Sequence, residues 1–208
     1  MQKLSVLARS IEIDEKHVIF FGQNAYNNHA RPPVRAWPRG PDSSMTQVKL
    51  RDSQEGDFES IVVLNAAEVA QTSAMDIDRL RHLHGLSNYH KVAEVEGRIA
   101  GFLIAIRSGA HYENDNFGWF AEKVGNFMYV DRIVINSQFA GMGIGSALYE
   151  DLFLRSRALA IATITCEYNI VPPNPASRAF HDKFGFSELG TQWVADGTKQ
   201  VSLQSAAI

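Results

Sequence analysis

Apolar and polar residues recur with two different periods beyond residue 46, and these periods predict a mixed α/β domain. Short runs rich in branched and aromatic residues indicate strands, whereas apolar residues three and four positions apart indicate helices. The clearest helix begins at Ile144, because Ile144, Leu148 and Leu152 share one of its faces. Strands are predicted at residues 47–51, 90–94, 98–107, 127–135, 162–167, 187–195 and 199–204, and helices from a cap within 52–57 through 65 and at 74–84, 144–159 and 175–184.

Turn signals connect these elements. Residues 95–97 join two strands as a hairpin, and Asp196-Gly197 closes the last hairpin. Pro175 lies in the first turn of its helix, where proline is favoured. Residues 108–126 are aromatic and acidic without a clear period, so we expect a long functional loop there.

The first 44 residues differ in character from the rest of the chain. Residues 24–44 are rich in Asn, Pro, Arg and Ser, which is typical of a linker or an irregular arm. Residues 17–21 are β-prone and could form a short strand. We therefore expect an N-terminal extension over residues 1–44 and one domain over residues 45–208. A contact between two copies of the chain through residues 17–21, and hence a homodimer, is left open.

A glycine-rich run follows the central predicted strand and opens the clearest helix. It reads Gln138-Phe-Ala-Gly141-Met-Gly143-Ile-Gly145-Ser. Glycines at a strand-to-helix junction let the backbone approach a ligand closely, and the N–H groups and dipole of the helix favour a phosphate or pyrophosphate. A glycine-rich turn without any ligand is the alternative. A dinucleotide fingerprint does not fit, because Ser146 or Leu148 stands where its last glycine belongs, and the chain has no Gly-Lys pair for a P-loop.

A second motif lies downstream, and the two motifs together are more specific than the glycine-rich run alone. Residues 138–143 resemble the acetyl-CoA signature Q/R-x-x-G-x-G/A of the GNAT N-acetyltransferase superfamily, and residues 174–186 resemble that family's later motif, N-x-x-A-x-x-L-Y-x-x-x-G-F. In the second motif Ser177 replaces the Ala, Phe180 the Leu and His181 the Tyr. The two motifs occur in the family's order, and the resemblance extends over roughly residues 47–206.

The resemblance implies a fold and an activity. The expected fold is α/β of the GNAT kind, with a mixed, mostly antiparallel sheet that is split in the middle and has helices on both faces. The expected activity is transfer of an acetyl group from acetyl-CoA, as co-substrate, to a primary amine of a small molecule or peptide by direct attack. Because the motif lacks its Tyr, a non-catalytic acyl-CoA-binding or regulatory module is the alternative.

The same resemblance assigns cofactor contacts. Backbone N–H groups of the loop would bind the pyrophosphate, and the edge of the preceding strand would bind the pantetheine amides, with an N–H near Val134 stabilising the oxyanion. Asn174 matches the family Asn that binds the pantetheine arm. A purely structural core strand is the other interpretation of residues 133–135. The implied cofactor-binding residues are Ile133, Val134, Ile135, Gln138, Gly141, Met142, Gly143, Ile144, Gly145, Ser146 and Asn174.

Acetyl transfer also needs a base for the amine and a proton for the leaving thiolate. Asp131 is the candidate base, since alternation along the strand would put it on one face with Tyr129, Ile133 and Ile135. A structural ion pair of Asp131 is the alternative, and Glu167 is the second candidate.

The resemblance places the proton donor at His181, in the position of the family Tyr, with Tyr168 as an alternative. Histidine can donate a proton near neutral pH. A polar contact of His181 with CoA that takes no part in the chemistry is the other interpretation.

Composition limits the other functions. The chain has 208 residues, a net charge of −3 and a single cysteine, Cys166. These values disfavour nucleic-acid binding, a disulfide framework and a Cys-rich zinc site, and no apolar run is long enough for a membrane span. Without a signal-peptide pattern, a cytoplasmic protein is expected. Cys166 is expected to be a buried strand residue, and no metal is expected, since His82, His84 and His90 fit surface or capping positions better than a metal site. The aromatic residues Tyr112, Phe117, Trp119, Phe120 and Phe127 could wall a substrate pocket or fill the core.

Overall fold

The computed structural model describes residues 47–69 and 72–208, so the predictions for residues 1–44 and 17–21 lie outside the described residues. Five helices and seven strands cover most of the described chain, and two short 3₁₀ turns precede the first and fourth helices. The strands are β1 (Lys49–Asp52), β2 (Tyr89–Val95), β3 (Arg98–Arg107), β4 (Phe127–Ile135), β5 (Thr163–Val171), β6 (Ser187–Val194) and β7 (Lys199–Ala207). The helices are α1 (Phe58–Ala67), α2 (Ile77–Leu86), α3 (Asp115–Lys123), α4 (Ile144–Ala158) and α5 (Pro175–Lys183).

The strands form one seven-stranded sheet in the order β1-β2-β3-β4-β5-β7-β6. Every neighbouring pair is antiparallel except β4 and β5, which run parallel in the middle. The predicted mixed, mostly antiparallel sheet is therefore confirmed. The one parallel pair matters most, because parallel strands need a crossover connection, and α4 supplies it between β4 and β5.

Each face of the sheet carries its own apolar core. Helices α1, α2 and α3 cover one face, where Phe102, Ile104 and Tyr129 are fully buried. Helices α4 and α5 cover the other, where Met128 and Leu148 are fully buried. We call these the α1–α3 face and the α4–α5 face.

Side-chain caps fix the starts of three helices. Asp76 accepts a hydrogen bond from the backbone N–H of Arg79 at the start of α2, and Asn114 does the same for Phe117 at the start of α3. Asn174 accepts from the N–H of Ser177 at 3.0 Å, and Pro175 fills the first position of α5. Each cap satisfies an N–H that the helix itself leaves without a partner.

The expectation of a long loop over residues 108–126 is wrong for about half of that range. Helix α3 occupies Asp115–Lys123 and buries Phe117 and Phe120 against the α1–α3 core. Two apolar residues three positions apart are too few to indicate a helix by themselves, and the neighbouring aromatic residues obscure the helical period. Strand β5 also runs four residues beyond its predicted end, to Val171, because pairing with β7 continues there.

A β-bulge at Asp131 overturns the expected alternation along β4. Arg132 pairs with Ile104 and Val130 pairs with Ala105, so Asp131 is an extra residue in β4. The bulge reverses the parity after it: Tyr129 lies on the α1–α3 face, whereas Ile133 and Ile135 pack against the α4–α5 core. The expectation that these side chains share one face is wrong, because alternation assumes an unbroken ladder.

His90 differs from the surface or capping role expected for it. It is only 7% exposed, and its Nδ1 lies 2.9 Å from Nδ1 of His84. Burial, together with the charge of His84, lowers the pKa of His90 to about 4, while Asp57 opposes the shift. His90 is therefore neutral in the folded protein at pH values where it would already be charged in the unfolded chain.

Acid should consequently destabilise the fold through His90. Because its pKa is lower in the folded state, the unfolded chain binds more protons between about pH 6.5 and pH 4, and stability is lost as the pH falls through this window. At pH 5 the lowered pKa of His90 reduces the free energy of unfolding by about 2 kcal/mol relative to neutral pH. In urea unfolding at pH 7.5 and pH 5, His90→Gln should lose less stability on acidification than the wild type. The exposed His82→Gln variant serves as the control, and equal losses in His90→Gln and wild type would contradict the assignment.

Candidate active site

The sheet opens between its two central strands. Strands β4 and β5 pair only at Phe127–Thr163, Met128–Ile164 and Tyr129–Thr165. Beyond these pairs, residues 130–135 of β4 and 166–171 of β5 have no ladder between them. Both strands therefore present an edge of backbone N–H and C=O groups to the opening, and such groups need partners. We call this opening the split.

A cavity of about 340 Å³ lies at the split. Its wall combines β4 and β5 with the start of α3, the start of α5 and the turn between β6 and β7. Titratable and hydrogen-bonding side chains dominate the lining. The lining includes Thr72, Ser73, Arg79, Tyr112, Asn114, Asp115, Asn116, Tyr129, Val130, Asp131, Arg132, Ile133, Tyr149, Cys166, Glu167, Tyr168, Asn169, Asn174, Ser177, His181, Val194, Ala195, Lys199 and Val201.

The glycine-rich loop joins the end of β4 to α4 and forms an open cradle. Gly141 and Gly143 have φ values of 80° and 75°, which side chains rarely tolerate. A Cβ atom at either position would meet no atom within 4 Å, so the space over the loop is free for a ligand. No side chain caps α4 at Gly143, and the first helical bond runs from Ala147 N–H to Gly143 C=O. The N–H groups of the first turn, at the positive end of a 15-residue helix, suit an anion.

Two cations lie beside this loop. Nζ of Lys183 is 3.0 Å from Oγ of Ser146, and Nη2 of Arg98 donates to Oε1 of Gln138 at 2.7 Å. Glycine at position 145 is required by packing rather than by a ligand, because a Cβ there would come within 3.2 Å of the ring of Phe180. The absence of a side chain at Gly145 lets α5 pack closely against the start of α4.

The structure places the sequence-predicted cofactor residues in two groups. Ile133 and Asn174 line the cavity. The others follow along the same strand edge and into the glycine loop, outside the cavity lining: Val134, Ile135, Gln138, Gly141, Met142, Gly143, Ile144, Gly145 and Ser146. The arrangement is continuous, running from the split along β4 to the start of α4. A long ligand with an anionic end fits this path.

Glu167 is the unusual carboxylate of the split. Its Oε1 accepts a hydrogen bond from the Tyr129 hydroxyl at 2.9 Å, and its Oε2 is buried without a partner at full hydrogen-bond geometry among the described residues. Burial raises the pKa of Glu167 to about 8, although Tyr129 and the Asn116 amide oppose the rise. A buried, half-satisfied carboxyl group with a pKa near the operating pH is well matched to proton transfer.

Asp131 is engaged differently. One oxygen accepts from the Tyr112 hydroxyl, and the other lies 2.7 Å from Nε of Arg132. Both side chains of this ion pair are nearly inaccessible, at 2% and 4%. Arg132 also binds Asn65 and Ser73, so the pair ties the bulge of β4 to the end of α1 and the chain that follows it. Asp131 stays a predicted base, but both its oxygens already have partners.

His181 is buried within a hydrogen-bonded chain of side chains. Its Nδ1 lies 2.7 Å from the carbonyl oxygen of Ser177 and therefore carries the hydrogen, while its Nε2 accepts from the Tyr149 hydroxyl at 2.9 Å. Burial lowers the pKa of His181. The ring is therefore neutral, with both nitrogens already occupied by protein groups.

Tyr168 stacks on His181 with ring centroids 5.7 Å apart, and it also lines the cavity. Its hydroxyl accepts a hydrogen bond from Nε2 of Gln204 at 3.3 Å, and the Ser202 side chain also interacts with it. Burial raises the pKa of Tyr168, so the hydroxyl proton is retained at neutral pH. Its role as a proton donor stays a prediction.

The two titratable groups of β5 lie on opposite sides of the sheet. Glu167 contacts Tyr129 on the α1–α3 face, and Tyr168 contacts His181 of α5 on the other face. Where β4 and β5 are paired, the sheet separates the two faces. Because the ladder ends before Glu167, groups bound on the two faces can meet through the split.

Sequence reasoning named Tyr112 as a candidate pocket residue but missed the hydrogen bonds that Tyr112 and Tyr129 make to Asp131 and Glu167. Tyr129 and Tyr112 supply the hydroxyl groups that bind these two carboxyl groups, and Asn114 bridges the two hydroxyls at 3.5 Å. Among the candidate pocket aromatics, Tyr112 lines the cavity. Phe117, Phe120 and Phe127 fill the core, with Trp119 packed against it. No local pattern separates these roles, since each depends on which face of the sheet the residue reaches.

Other chemistry is limited within the described residues. Cys166 is buried, and burial raises the pKa of its thiol well above the usual value, which disfavours a nucleophilic thiolate. In the described part of the chain, no group of three or more His, Cys, Asp or Glu side chains could hold a metal ion. Among the same residues, no helix is long and apolar enough to cross a membrane.

Comparison with known proteins gives consistent results. The model of the acetyltransferase (GNAT) family matches residues 49–186. No curated protein matches the chain significantly. Similar solved structures include Ard1 from Thermoplasma volcanium, with a TM-score of 0.63, 16% identity, and coverage of 77% of this chain and 97% of that one.

Two further structures contain relevant ligands. Naa50 from Arabidopsis thaliana, in complex with the bisubstrate analogue CoA-Ac-MVNAL, has a TM-score of 0.60 at 15% identity and covers 77% of this chain and 99% of its own. The protein yncA from Salmonella typhimurium, with its cofactor acetyl-CoA, has a TM-score of 0.59 at 17% identity. The match covers 77% of this chain and 94% of yncA. At these identities the structures establish the fold alone.

Proposed function

Because the chain belongs to the acetyltransferase (GNAT) family, we propose that it transfers the acetyl group of acetyl-CoA directly to a primary amine of a small molecule or peptide. One observation carries the proposal. Glu167, with its pKa raised to about 8 and with Oε2 lacking a partner at full hydrogen-bond geometry among the described residues, lies where the central strands separate. A raised pKa in a cleft is typical of a functional carboxyl group, and a pKa near neutrality suits a base that takes a proton from an ammonium group.

The path from the split to the start of α4 suits acetyl-CoA. The cradle over Gly141 and Gly143 would take the pyrophosphate, with Lys183 and Arg98 adding positive charge nearby. The free edge of β4 would bind the pantetheine amides through backbone atoms of residues 133–135. The complexes of yncA and Naa50 contain acetyl-CoA and a CoA conjugate, respectively, which supports the same cofactor here.

The chemistry follows from the two faces of β5. Glu167 accepts a proton from the ammonium group, and the neutral nitrogen then forms a bond to the thioester carbonyl carbon. A backbone N–H near Val134 would stabilise the oxyanion. When the C–S bond breaks, the nitrogen loses its second proton to solvent and the thiolate sulfur gains one from a donor in the site, so the products are an amide and free CoA. The proton on Glu167 then leaves to solvent, and the donor is reprotonated from solvent.

Tyr168 is the better-supported donor of that proton. Tyr168 lines the cavity, and its hydroxyl accepts from Gln204 with Ser202 beside it, whereas His181 uses Nδ1–H on Ser177 and Nε2 on Tyr149. Donation by His181 would break a bond to the backbone of its own helix. We therefore place Tyr168 first and keep His181 as the second candidate. His181 would then position the Tyr168 ring by stacking.

Release of CoA thiol in the presence of a panel of primary amines tests the proposed activity. We expect thiol release well above the rate with acetyl-CoA alone for at least one class of amine, with formation of the amide. Tight binding of acetyl-CoA with no release for any amine would contradict the proposal. That outcome would favour an acyl-CoA-binding or regulatory module instead.

Gly143→Val should weaken CoA binding at least about tenfold, or about 1.4 kcal/mol. The new side chain would fill the cradle where the pyrophosphate approaches. Gly109→Val is a matched control, because Gly109 also has a positive φ and open space but lies outside the cofactor path. Calorimetry should show wild-type affinity in the control. Equal weakening in both variants would mean that general strain, rather than the cradle, is responsible.

A homodimer and a cytoplasmic location stay predictions of the sequence. So does the division into an extension over residues 1–44 and a domain over residues 45–208.

A further inference from the structure

Arg79 brings a positive charge to the acceptor side of the cavity. It lies in α2, its guanidinium carbon is 5.4 Å from the centroid of the Tyr112 ring, and its Nη2 donates to the Tyr112 hydroxyl at 3.1 Å. The side chain lines the cavity on the same face of the sheet as Glu167.

Among the described residues, most of the hydrogen-bonding capacity of the Arg79 guanidinium is unused. A guanidinium group carries five N–H donors, and one of them is engaged in the described contacts of Arg79. No carboxylate of the described residues lies within ion-pair distance of it. Arg81, one half-turn along α2, instead pairs with Glu55 and Asp78. A planar, unpaired guanidinium at a cavity wall suits bidentate binding of a carboxylate.

The other charges of the cavity leave that of Arg79 uncompensated. Arg132 is neutralised by Asp131 at 2.7 Å, and Glu167, with its pKa of about 8, is mostly protonated at neutral pH, with a minor ionised fraction that can act as the base. Asp115 is the remaining carboxylate of the lining, exposed at the first position of α3. An anionic group on the acceptor would therefore be attracted to the Arg79 end.

The two ends of this acceptor region are close enough for one small molecule. Arg79 is bound to Tyr112, and Glu167 is bound to Tyr129. The centroids of these two tyrosine rings are 6.5 Å apart, and Asn114 bridges their hydroxyls. A carboxylate at Arg79 and an amine at Glu167 can thus belong to the same amino acid or short peptide.

We propose that Arg79 determines acceptor specificity by binding a carboxylate of the acceptor, whose amine is thereby directed to Glu167, so that the substrates of the proposed acetyl transfer are carboxylate-bearing amines. The competing interpretation is that Arg79 only braces Tyr112 by hydrogen bonding and cation–π contact. The two differ in what they predict for ligand binding.

Binding of acetylated products to the CoA-loaded protein tests this without requiring turnover. The probes are N-acetyl amino acids and, for each, the matching carboxamide, compared by calorimetry. We expect the best carboxylate to bind about ten- to a hundred-fold more tightly than its carboxamide in the wild type. Arg79→Gln should abolish this preference and Arg79→Lys should restore part of it, whereas Arg81→Gln should retain it in full.

Two results would overturn the assignment of Arg79. One is a wild type that binds carboxylates and carboxamides equally. The other is an Arg79→Gln variant with an undiminished preference. Thiol release with the free amines is measured alongside. Carboxylate-selective binding that depends on Arg79, without thiol release from any amine, would refute the acetyl transfer while supporting the carboxylate site.

Discussion

Glu167→Gln should lower kcat by about 10²–10⁴-fold while leaving the affinity for CoA within a factor of two or three. The amide has nearly the shape of the carboxyl group and can still accept from the Tyr129 hydroxyl, but it cannot take a proton from an ammonium group. Steady-state kinetics with one accepted amine, together with a CoA titration, measures both quantities. Near wild-type kcat in the variant would show that the base is another group, with Asp131 next to be tested.

The dependence of kcat/KM on pH tests the assignment of Glu167 as the base more specifically. Burial raises the pKa of Glu167 to about 8, so the fraction of ionised base grows as the pH rises towards that value. The kcat/KM of the wild type should rise up to about pH 8 and flatten above it. The Glu167→Gln variant should lose this inflection, although the amine's own ionisation still contributes. Asp131→Asn should retain an inflection, moved to lower pH because the charge of Asp131 helps raise the pKa of Glu167, while losing stability because the buried Arg132 loses its counter-charge.

Tyr168→Phe should lower kcat by about 10²-fold or more and leave CoA binding nearly unchanged. The substitution removes a single oxygen, the hydroxyl oxygen that accepts from Gln204 and interacts with Ser202. The ring and its stacking on His181 are retained, so a change in kcat reports on the hydroxyl itself.

His181→Ala separates the two candidate donors. If Tyr168 is the donor, loss of His181 should act through the position of the Tyr168 ring and through stability, and His181→Gln should retain much of the activity. If instead Tyr168→Phe keeps near wild-type kcat and His181→Ala does not, His181 donates the proton, as the resemblance of residues 174–186 predicts. Thermal unfolding of both variants supplies the stability correction.

The parts of the site that depend on local sequence could be predicted. Strand β4 has its predicted bounds, Phe127–Ile135, because a long apolar run between turn signals is a strong local pattern. The start of α4 at Ile144 follows from the glycines before it, whose positive φ values make their identity necessary. The family resemblance rested on these two elements and on residues 174–186, and the family match over residues 49–186 confirms it.

The parts of the site that depend on long-range pairing could not be predicted from the sequence. The bulge at Asp131 arises from the register between β3 and β4, which no local periodicity encodes, and it moved Ile133 and Ile135 to the face opposite Tyr129. The distinction between Asp131 and Glu167 depends on partners more than 15 positions away in sequence, Tyr112 and Tyr129. Sequence reasoning therefore identified both carboxylates but ranked them without knowing that only Glu167 has an oxygen lacking a full hydrogen bond among the described residues.

Transfer of a ¹³C-labelled acetyl group is the most direct test of the central claim, that the split between β4 and β5 moves an acetyl group from acetyl-CoA to an amine. Labelled acetyl-CoA and a carboxylate-bearing amine would be incubated with wild type and with Glu167→Gln, and both reactants followed by mass spectrometry. We predict equal amounts of labelled amide and free CoA with the wild type, and acetyl-CoA that is bound but intact with the variant. Intact acetyl-CoA with wild type, or equal transfer by both proteins, would contradict the account.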